Sequence, residues 1–487
     1  MSTSDLPAFP FGSATSLVRA LRQGKVSSVE LLRAYLERVD RFNPALNAIV
    51  VDDRAAALRQ ARAADRARAK GRTLGPLHGL PMTVKEAFDL AGHPSTQGYP
   101  QMVGNIATHD ALAVQRLKQA GAVVFGKTNV PLNNGDFQAY NEIYGTTNNP
   151  WDLSRSPGGS SGGGAAAVAA GLVGMEFGSD IGGSIRNPAN YCGIYGHKST
   201  WGIIPKRGHA LARTPIAEAD LGVLGPLARS AQDLDLALRV TIGADELNAA
   251  GPHHSLPTPP KSLAGLRVAV WLDQPGADVD DAVQGPIRAA ALALRKAGAK
   301  VSFTARPAFD PMAAHGVYMA LLLAQVSARR PDYARLAAHR LRLADDDQSE
   351  AAQQVRLLTP SFKEHYDQNQ AREGLRWAWH EFFKDFDVLL APATTTAAFP
   401  HDHTEPMGAR TLMVNGRPTP YMAQLFWAGL ATCCYLPATA APVGLTAEGL
   451  PVGLQIIGPE MADRRTIWVA AQLERLVGGA PVPPAFR

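Results

Sequence analysis

Hydrophobic positions along this chain alternate between the spacing of helices and that of short strands. Leu31, Leu32, Tyr35, Leu36 and Val39 recur at helical intervals, which gives one inward face. Ser27 and Glu30, just ahead of them, make an S-x-x-E capping box, and Pro44 is expected just past the helix end. A second helical pattern over residues 54–70 leads through Gly71 and Gly75 to a short apolar run that reads as a strand carrying Lys85. Residues 111–119 are amphipathic, 122–125 are a short β-rich run, and 165–171 read as a helix of small residues. After a Pro-rich connector over 251–265 come a strand (LRVAVWLD), a helix over 281–297, a mainly helical stretch over 310–385 and a buried strand, FDVLLAPAT, over 386–394. This alternation predicts an α/β layered fold.

A length of 487 residues exceeds one ordinary hydrophobic core, so size alone predicts two or three domains. Apolar residues at 46% and charged residues at 19% describe an ordinary globular protein. The net charge of +5 comes from basic residues scattered among Asp and Glu, with no Lys/Arg block, which argues against a nucleic-acid partner. Cys192, Cys433 and Cys434 give neither a disulfide framework nor paired metal spacing, a usage that fits the reducing cytoplasm. The opening MSTSDLPAFPFGS lacks a basic segment followed by an apolar one, so no signal peptide is expected. The long uncharged stretch 418–444 is interrupted by Pro437, Pro442 and several threonines; it reads as short buried strands and turns, not a membrane span.

Four motifs compete for the chemistry. Gly121 to Thr128 matches the G-x-x-x-x-G-K-T phosphate loop, but its middle residues are strand formers and Pro131 follows where a helix should run. Gly158-Gly-Ser160-Ser-Gly162 matches the G-x-S-x-G nucleophile elbow, with His401 or His403 as its histidine, although the preceding residues 149–157 read as a loop. His401-Asp402-His403 and His253-His254 are metal-ligand candidates in Pro-flanked loops without a third ligand nearby; no metal or cofactor is expected. The fourth motif is a pair of glycine-preceded serines, Ser160 and Ser184, with Lys85 upstream. An attacking serine needs a base, a proton path and backbone donors for the developing oxyanion, and these residues can supply all three without a histidine.

The segments GPLHGLPMTVKE around Lys85, GKTNVP, NNPWD, the long PGGSSGGG…GHK stretch over 157–198, GPLARSAQDL, FDVLLAPAT and LPVGLQIIG together resemble the amidase signature family of serine hydrolases. The resemblance runs over most of the chain and implies one domain over 1–487, with a signature region over about 75–245, in place of the several domains that length suggests. It implies an α/β/α sandwich around a large mixed sheet, and a helical cap insertion over about 310–385.

The resemblance further implies that Ser184 is the nucleophile, that the backbone N–H groups of Ile181, Gly182, Gly183 and Ser184 form the oxyanion hole, and that Ser160, after a cis peptide bond, relays protons to Lys85 as general base. Ser161, Ser179, Asp180 and Arg186 are implied as supporting residues. Ser179 stands where the family usually has threonine, and Leu132 where many members carry glutamate. A lysine acting as base must be neutral, which asks for burial; Glu86 is tolerable beside it because strand neighbours face opposite ways.

Substrate-wall candidates are the run 317–323, residues 138–144 and 424–427, with Gly135, Asp136, Gln138, Tyr140 and Phe426 as the named binding candidates. The expected substrate is a hydrophobic or aryl amide, with carbamates and esters next; the expected assembly is a monomer or homodimer without a membrane partner. The alternative is the glutaminase component of an amidotransferase working with partner chains.

Overall fold

The computed structural model describes residues 9–209, 217–250, 255–328, 330, 332–344 and 346–487. His253 and His254 lie outside the described residues. In chain order the strands are β1 (Ile49–Asp52), β2 (Pro81–Lys85), β3 (Val123–Thr128), β4 (Tyr140–Asn141), β5 (Gly145–Thr146), β6 (Met175–Asp180), β7 (Tyr195–Lys198), β8 (Val223–Ala228), β9 (Arg267–Val270), β10 (Lys300–Ser302), β11 (Val388–Pro392), β12 (Thr411–Val414), β13 (Arg417–Pro420), β14 (Ala438–Leu445) and β15 (Pro451–Ile457).

Eleven of these make one sheet in the order β1-β3-β2-β6-β8-β7-β14-β15-β11-β9-β10. It is mixed: β3-β2-β6 and β11-β9-β10 pair in parallel, and the strands between β6 and β11 pair antiparallel. The expected α/β fold with a large mixed sheet and flanking helices is what the chain forms. Continuous burial along β2, β3, β6, β8, β11 and β15 is the mark of strands covered on both faces.

Local rules placed the capped helix after Ser27 well. Glu30 N–H donates to Ser27 Oγ at 3.1 Å and Ser27 N–H to Glu30 Oε2 at 2.8 Å, opening the helix Ser28–Leu46. Pro44, however, lies inside that helix. Its missing N–H falls in the last turn, where the chain is secured another way: Asn43 Oδ1 accepts from the N–H groups of Ala48 and Ile49, both at 2.9 Å.

The small-residue helix runs over Gly162–Ala169 and so begins on three glycines. A Cβ on Gly163 would meet Asn129 N and one on Gly164 the Glu176 side chain, each at 2.4 Å, so only hydrogen allows this helix to lie directly on the strands. The stretch 418–444 contains a fully buried helix, Leu425–Thr432, besides strands. No described helix is long and apolar enough to cross a membrane. Residues 310–385 hold the helices Pro311–Ser327, Tyr333–Arg340, Glu350–Leu358 and Phe362–Asp385.

Candidate active site

Two neighbouring parallel strands, β2 and β6, end side by side, which brings Lys85 and Ser179-Asp180 to the same edge. Lys85 is fully buried, and its Nζ lies 2.6 Å from Ser160 Oγ and 3.0 Å from Ser179 Oγ. Ser160 sits in the loop before the Gly162–Ala169 helix, and the Gly159–Ser160 peptide bond is cis. Asn187 Oδ1 accepts from Gly159 N–H at 3.1 Å, and a Cβ on Gly159 would lie 2.3–2.4 Å from the carbonyl oxygens of Gln138 and Asp136. Residues 136–138 therefore press directly on the backbone of Gly159, the residue before Ser160.

Burial pushes the Lys85 ammonium down to about 7, against the opposing pull of Asp180 and Glu176. Such an amine can accept the Ser160 proton while donating to Ser179. Glu86 belongs to a different set of contacts: its carboxylate accepts from Thr96 N–H at 2.7 Å and from Gln97 N–H at 2.9 Å. Glu176, on β6, is also fully buried, accepts from the hydroxyls of Thr83 and Thr128, and is pushed up to about 8 by desolvation against those hydrogen bonds.

The loop after β6 is organised by Asp180. Its carboxylate accepts from Gly183 N–H at 3.0 Å, from Ile185 N–H at 3.1 Å, and from Arg186 Nε and Nη2 at 3.1 and 2.9 Å. Desolvation would raise this acid, but the Arg186 guanidinium outweighs it and holds Asp180 at about 2. Arg186 is itself satisfied by Gln455 Oε1 at 2.7 Å and Thr432 Oγ1 at 2.9 Å. Ser184 follows, with its carbonyl accepting from Ser161 N–H at 3.1 Å, and Ser161 Oγ donating to the Ser179 carbonyl at 3.3 Å. Gly183 takes a φ of +99°, open to glycine and costly for other residues. The N–H groups of Ile181, Gly182 and Ser184 and the Ser184 hydroxyl have no hydrogen-bond partner among the described residues. Unpaired donors on one short loop, next to a serine hydroxyl, are what a carbonyl turning into an oxyanion requires.

The competing motifs have structural explanations. Residues 123–128 are a wholly buried strand whose Lys127 donates to Pro94 O and Ser95 Oγ, leaving no phosphate loop. No described strand runs into Ser160, as an elbow would require. His401 pairs with Asn148 Oδ1 at 3.1 Å, and His403 stacks on Tyr140 at 3.7 Å between ring centroids.

Of the substrate-binding candidates, Asp136 accepts from Arg410 Nη1 at 2.6 Å and Tyr421 OH at 2.5 Å, and Tyr140 OH accepts from Arg410 Nη2 at 2.9 Å. Gln138 pairs through its amide with the backbone of Asp402. These three side chains tie residues 402–410 against the site. Gly135 closes a short turn with its N–H to the Leu132 carbonyl at 3.0 Å. Phe426 packs on Trp271, Trp427 and His315, away from that group. An apolar cavity lined by Phe309, His315, Tyr318, Leu375, Trp379 and Phe426 lies beneath the Pro311–Ser327 helix. Arg410 and Gln455 were not anticipated; both act across more than 260 residues, a distance no local pattern reports.

The family model described as Amidase matches residues 30–467. The chain is 35% identical over 477 residues to the indoleacetamide hydrolase of Bradyrhizobium diazoefficiens, covering 96% of this chain and 86% of that protein. It is 34% identical over 484 residues to the acylamidase of Rhodococcus erythropolis, covering 97% of both chains. A glutamyl-tRNA(Gln) amidotransferase component from Acidothermus cellulolyticus is also 34% identical, over 498 residues, covering 95% of this chain and 94% of that one. The solved structure of a bacterial aryl acylamidase of the amidase signature family matches with a TM-score of 0.81 at 25% identity, over 96% of both chains. With the family model spanning all of the glycine-rich loops and the mixed sheet that carries them, the chain belongs to the amidase family of amide-hydrolysing enzymes.

Proposed function

We propose that this amidase cleaves hydrophobic or aryl amides through an acyl-enzyme, with Ser184 as nucleophile, Ser160 as proton relay and Lys85 as general base. The observation that carries the reading is the 2.6 Å approach of Lys85 Nζ to Ser160 Oγ inside a fully buried cluster. Neutral Lys85 takes the Ser160 proton as Ser160 takes that of Ser184, whose Oγ adds to the substrate carbonyl. The oxyanion is met by the N–H groups of Ile181, Gly182 and Ser184; that of Gly183 is engaged by Asp180 and serves to shape the loop. The proton then returns along the same path to the leaving nitrogen, the C–N bond breaks, and water attacks the acyl-enzyme with the relay again as base. Hydrolysis regenerates Ser184 and releases the carboxylic acid.

The relatives that are an indoleacetamide hydrolase and an acylamidase by name support an apolar acyl or leaving group. Carbamates and esters of similar shape fit the same chemistry. The relative that is indoleacetamide hydrolase by name points to an aryl-containing primary amide as the first substrate to try.

Two measurements test this. A fluorophosphonate probe followed by mass mapping should place the label on Ser184, and label on Ser160 would overturn the assignment. A panel of amide, anilide, carbamate and ester sharing one chromogenic leaving group reads the substrate class, with Ser184→Ala as control; near-wild-type turnover by that variant would sink the mechanism. The similarity to an amidotransferase component supports a second reading, glutaminase activity within a complex. Glutamine-derived ammonia that appears only on adding partner chains would establish it.

A further inference from the structure

A planar trans peptide fixes its N–H opposite its C=O, so whatever holds the carbonyl also aims the amide. In the Ile181–Gly182 peptide the N–H belongs to Gly182 and has no partner among the described residues. The carbonyl belongs to Ile181 and accepts from the Tyr318 hydroxyl at 2.9 Å. Tyr318 comes from the Pro311–Ser327 helix, is 1% exposed, and reaches the loop from the helical stretch over 310–385. Its ring lies against Gly429 of the Leu425–Thr432 helix, where an added Cβ would sit 2.5 Å from the ring. The hydroxyl also stands 3.8 Å from where a Gly182 Cβ would be.

We propose that Tyr318 is a positioning residue for the oxyanion hole: by holding the Ile181 carbonyl it aims the Gly182 N–H at the substrate oxygen. The inference rests on the Ser184 mechanism above. Asp180 holds the loop on the other side through Gly183 and Ile185, so the Ile181–Gly182 peptide is the part of the loop without a backbone or carboxylate clamp. Because residue 182 is glycine, rotation of that peptide meets little steric resistance once the phenol is removed. Donation to the carbonyl also polarises the peptide, which strengthens its N–H as a donor. Burial keeps the phenol protonated, so the contact persists across the working pH range.

Loss of an entire oxyanion donor costs roughly 10²–10³ in kcat, and a donor merely released from its aim should cost about 10–100-fold. Tyr318→Phe keeps the ring on Gly429 and removes only the hydroxyl. The expected result is that fall in kcat with KM little changed, and a matching rise in the inhibition constant of a trifluoromethyl ketone whose hemiketal oxyanion occupies the hole. The acidic limb of the pH profile, which belongs to Lys85, should stay in place. Gly429→Ala displaces the ring from the other side and should lower kcat in the same direction.

Unchanged kcat/KM in Tyr318→Phe, or a loss carried by KM with ketone affinity intact, would overturn the inference. Ser184→Ala run alongside separates the two levels: an active Ser184→Ala defeats the mechanism, whereas a dead Ser184→Ala beside a fully active Tyr318→Phe defeats only the role of Tyr318.

Discussion

Lys85→Arg separates a base from a fixed positive charge. Arginine keeps a cation and several donors near Ser160, but its guanidinium is not deprotonated at any usable pH. The structure sets the size of the effect. Desolvation lowers Lys85 from 10.5 to about 7, which raises its neutral fraction at pH 7 from about 3 × 10⁻⁴ to about one half, a gain of about 1,500-fold. If that neutral amine is the base, kcat/KM should rise with pH, reach half its plateau near 7, and fall about tenfold per unit further below it. Lys85→Arg should lose at least 10²–10⁴-fold at every pH and show no recovery on the alkaline side. The assay is release of a chromogenic amine from an anilide between pH 5 and 9, at substrate well below KM. An arginine variant keeping more than a tenth of wild-type activity, or a wild-type profile flat across neutrality, would refute the claim that burial creates the base.

Two further outcomes follow from contacts in the same cluster. Ser179→Ala removes one of the two hydroxyls within reach of Lys85 Nζ, at 3.0 Å, and should lower kcat/KM by roughly tenfold, the order of a charge-assisted hydrogen bond, while Ser179→Thr keeps the hydroxyl and should stay near wild type in the same assay. Arg186→Met leaves Asp180 buried without its cation and should destabilise the fold by about 3–5 kcal/mol, read as an earlier urea midpoint at unchanged slope. Because Asp180 sits at about 2 when paired and at 3.8 in the unfolded chain, its contribution to wild-type stability should be full above pH 4 and be lost as pH falls toward 2.

How much of this was legible in the sequence depends on the range of each interaction. The Ser27–Glu30 capping box spans three residues and formed as read, because each partner lies within one turn of the other. The strand holding Lys85 was likewise visible in its own apolar run. Pro44 was placed outside its helix because proline usually stops one, yet Asn43 supplies an acceptor for the next free amides. The Leu425–Thr432 helix was hidden because it is buried on every side, which erases the periodicity that marks an amphipathic helix. Gly162–Gly164 concealed a helix start for another reason: glycine is a poor helix former and is tolerated there only because Asn129 and Glu176 leave no room for a side chain. The resemblance named Ser160, Ser184 and Lys85, but not the 274-residue reach from Arg410 to Asp136 that holds residues 402–410 against them.

The three fully buried lysines show why a depressed amine is not by itself a base. Desolvation pushes Lys127 down to about 8 and Lys198 to about 7, much as it does Lys85. Yet Lys198 Nζ donates to the carbonyl oxygens of Leu436 at 2.8 Å and Ser199 at 3.2 Å, and Lys127 Nζ to that of Pro94 beside the Glu86 carboxylate. A carbonyl can only accept, so these amines act as donors whatever their proton count, and they brace the backbone on which the loops rest. Lys85 alone among the three has only hydroxyl partners, and a hydroxyl can both receive and give a proton. One of them, Ser160, lies in the same glycine-rich turn that pins the Ser184 carbonyl through Ser161. On the proposed mechanism, what turns a buried lysine into a base is therefore the reversibility of its partner, and that partner is the serine whose own motif first suggested a nucleophile.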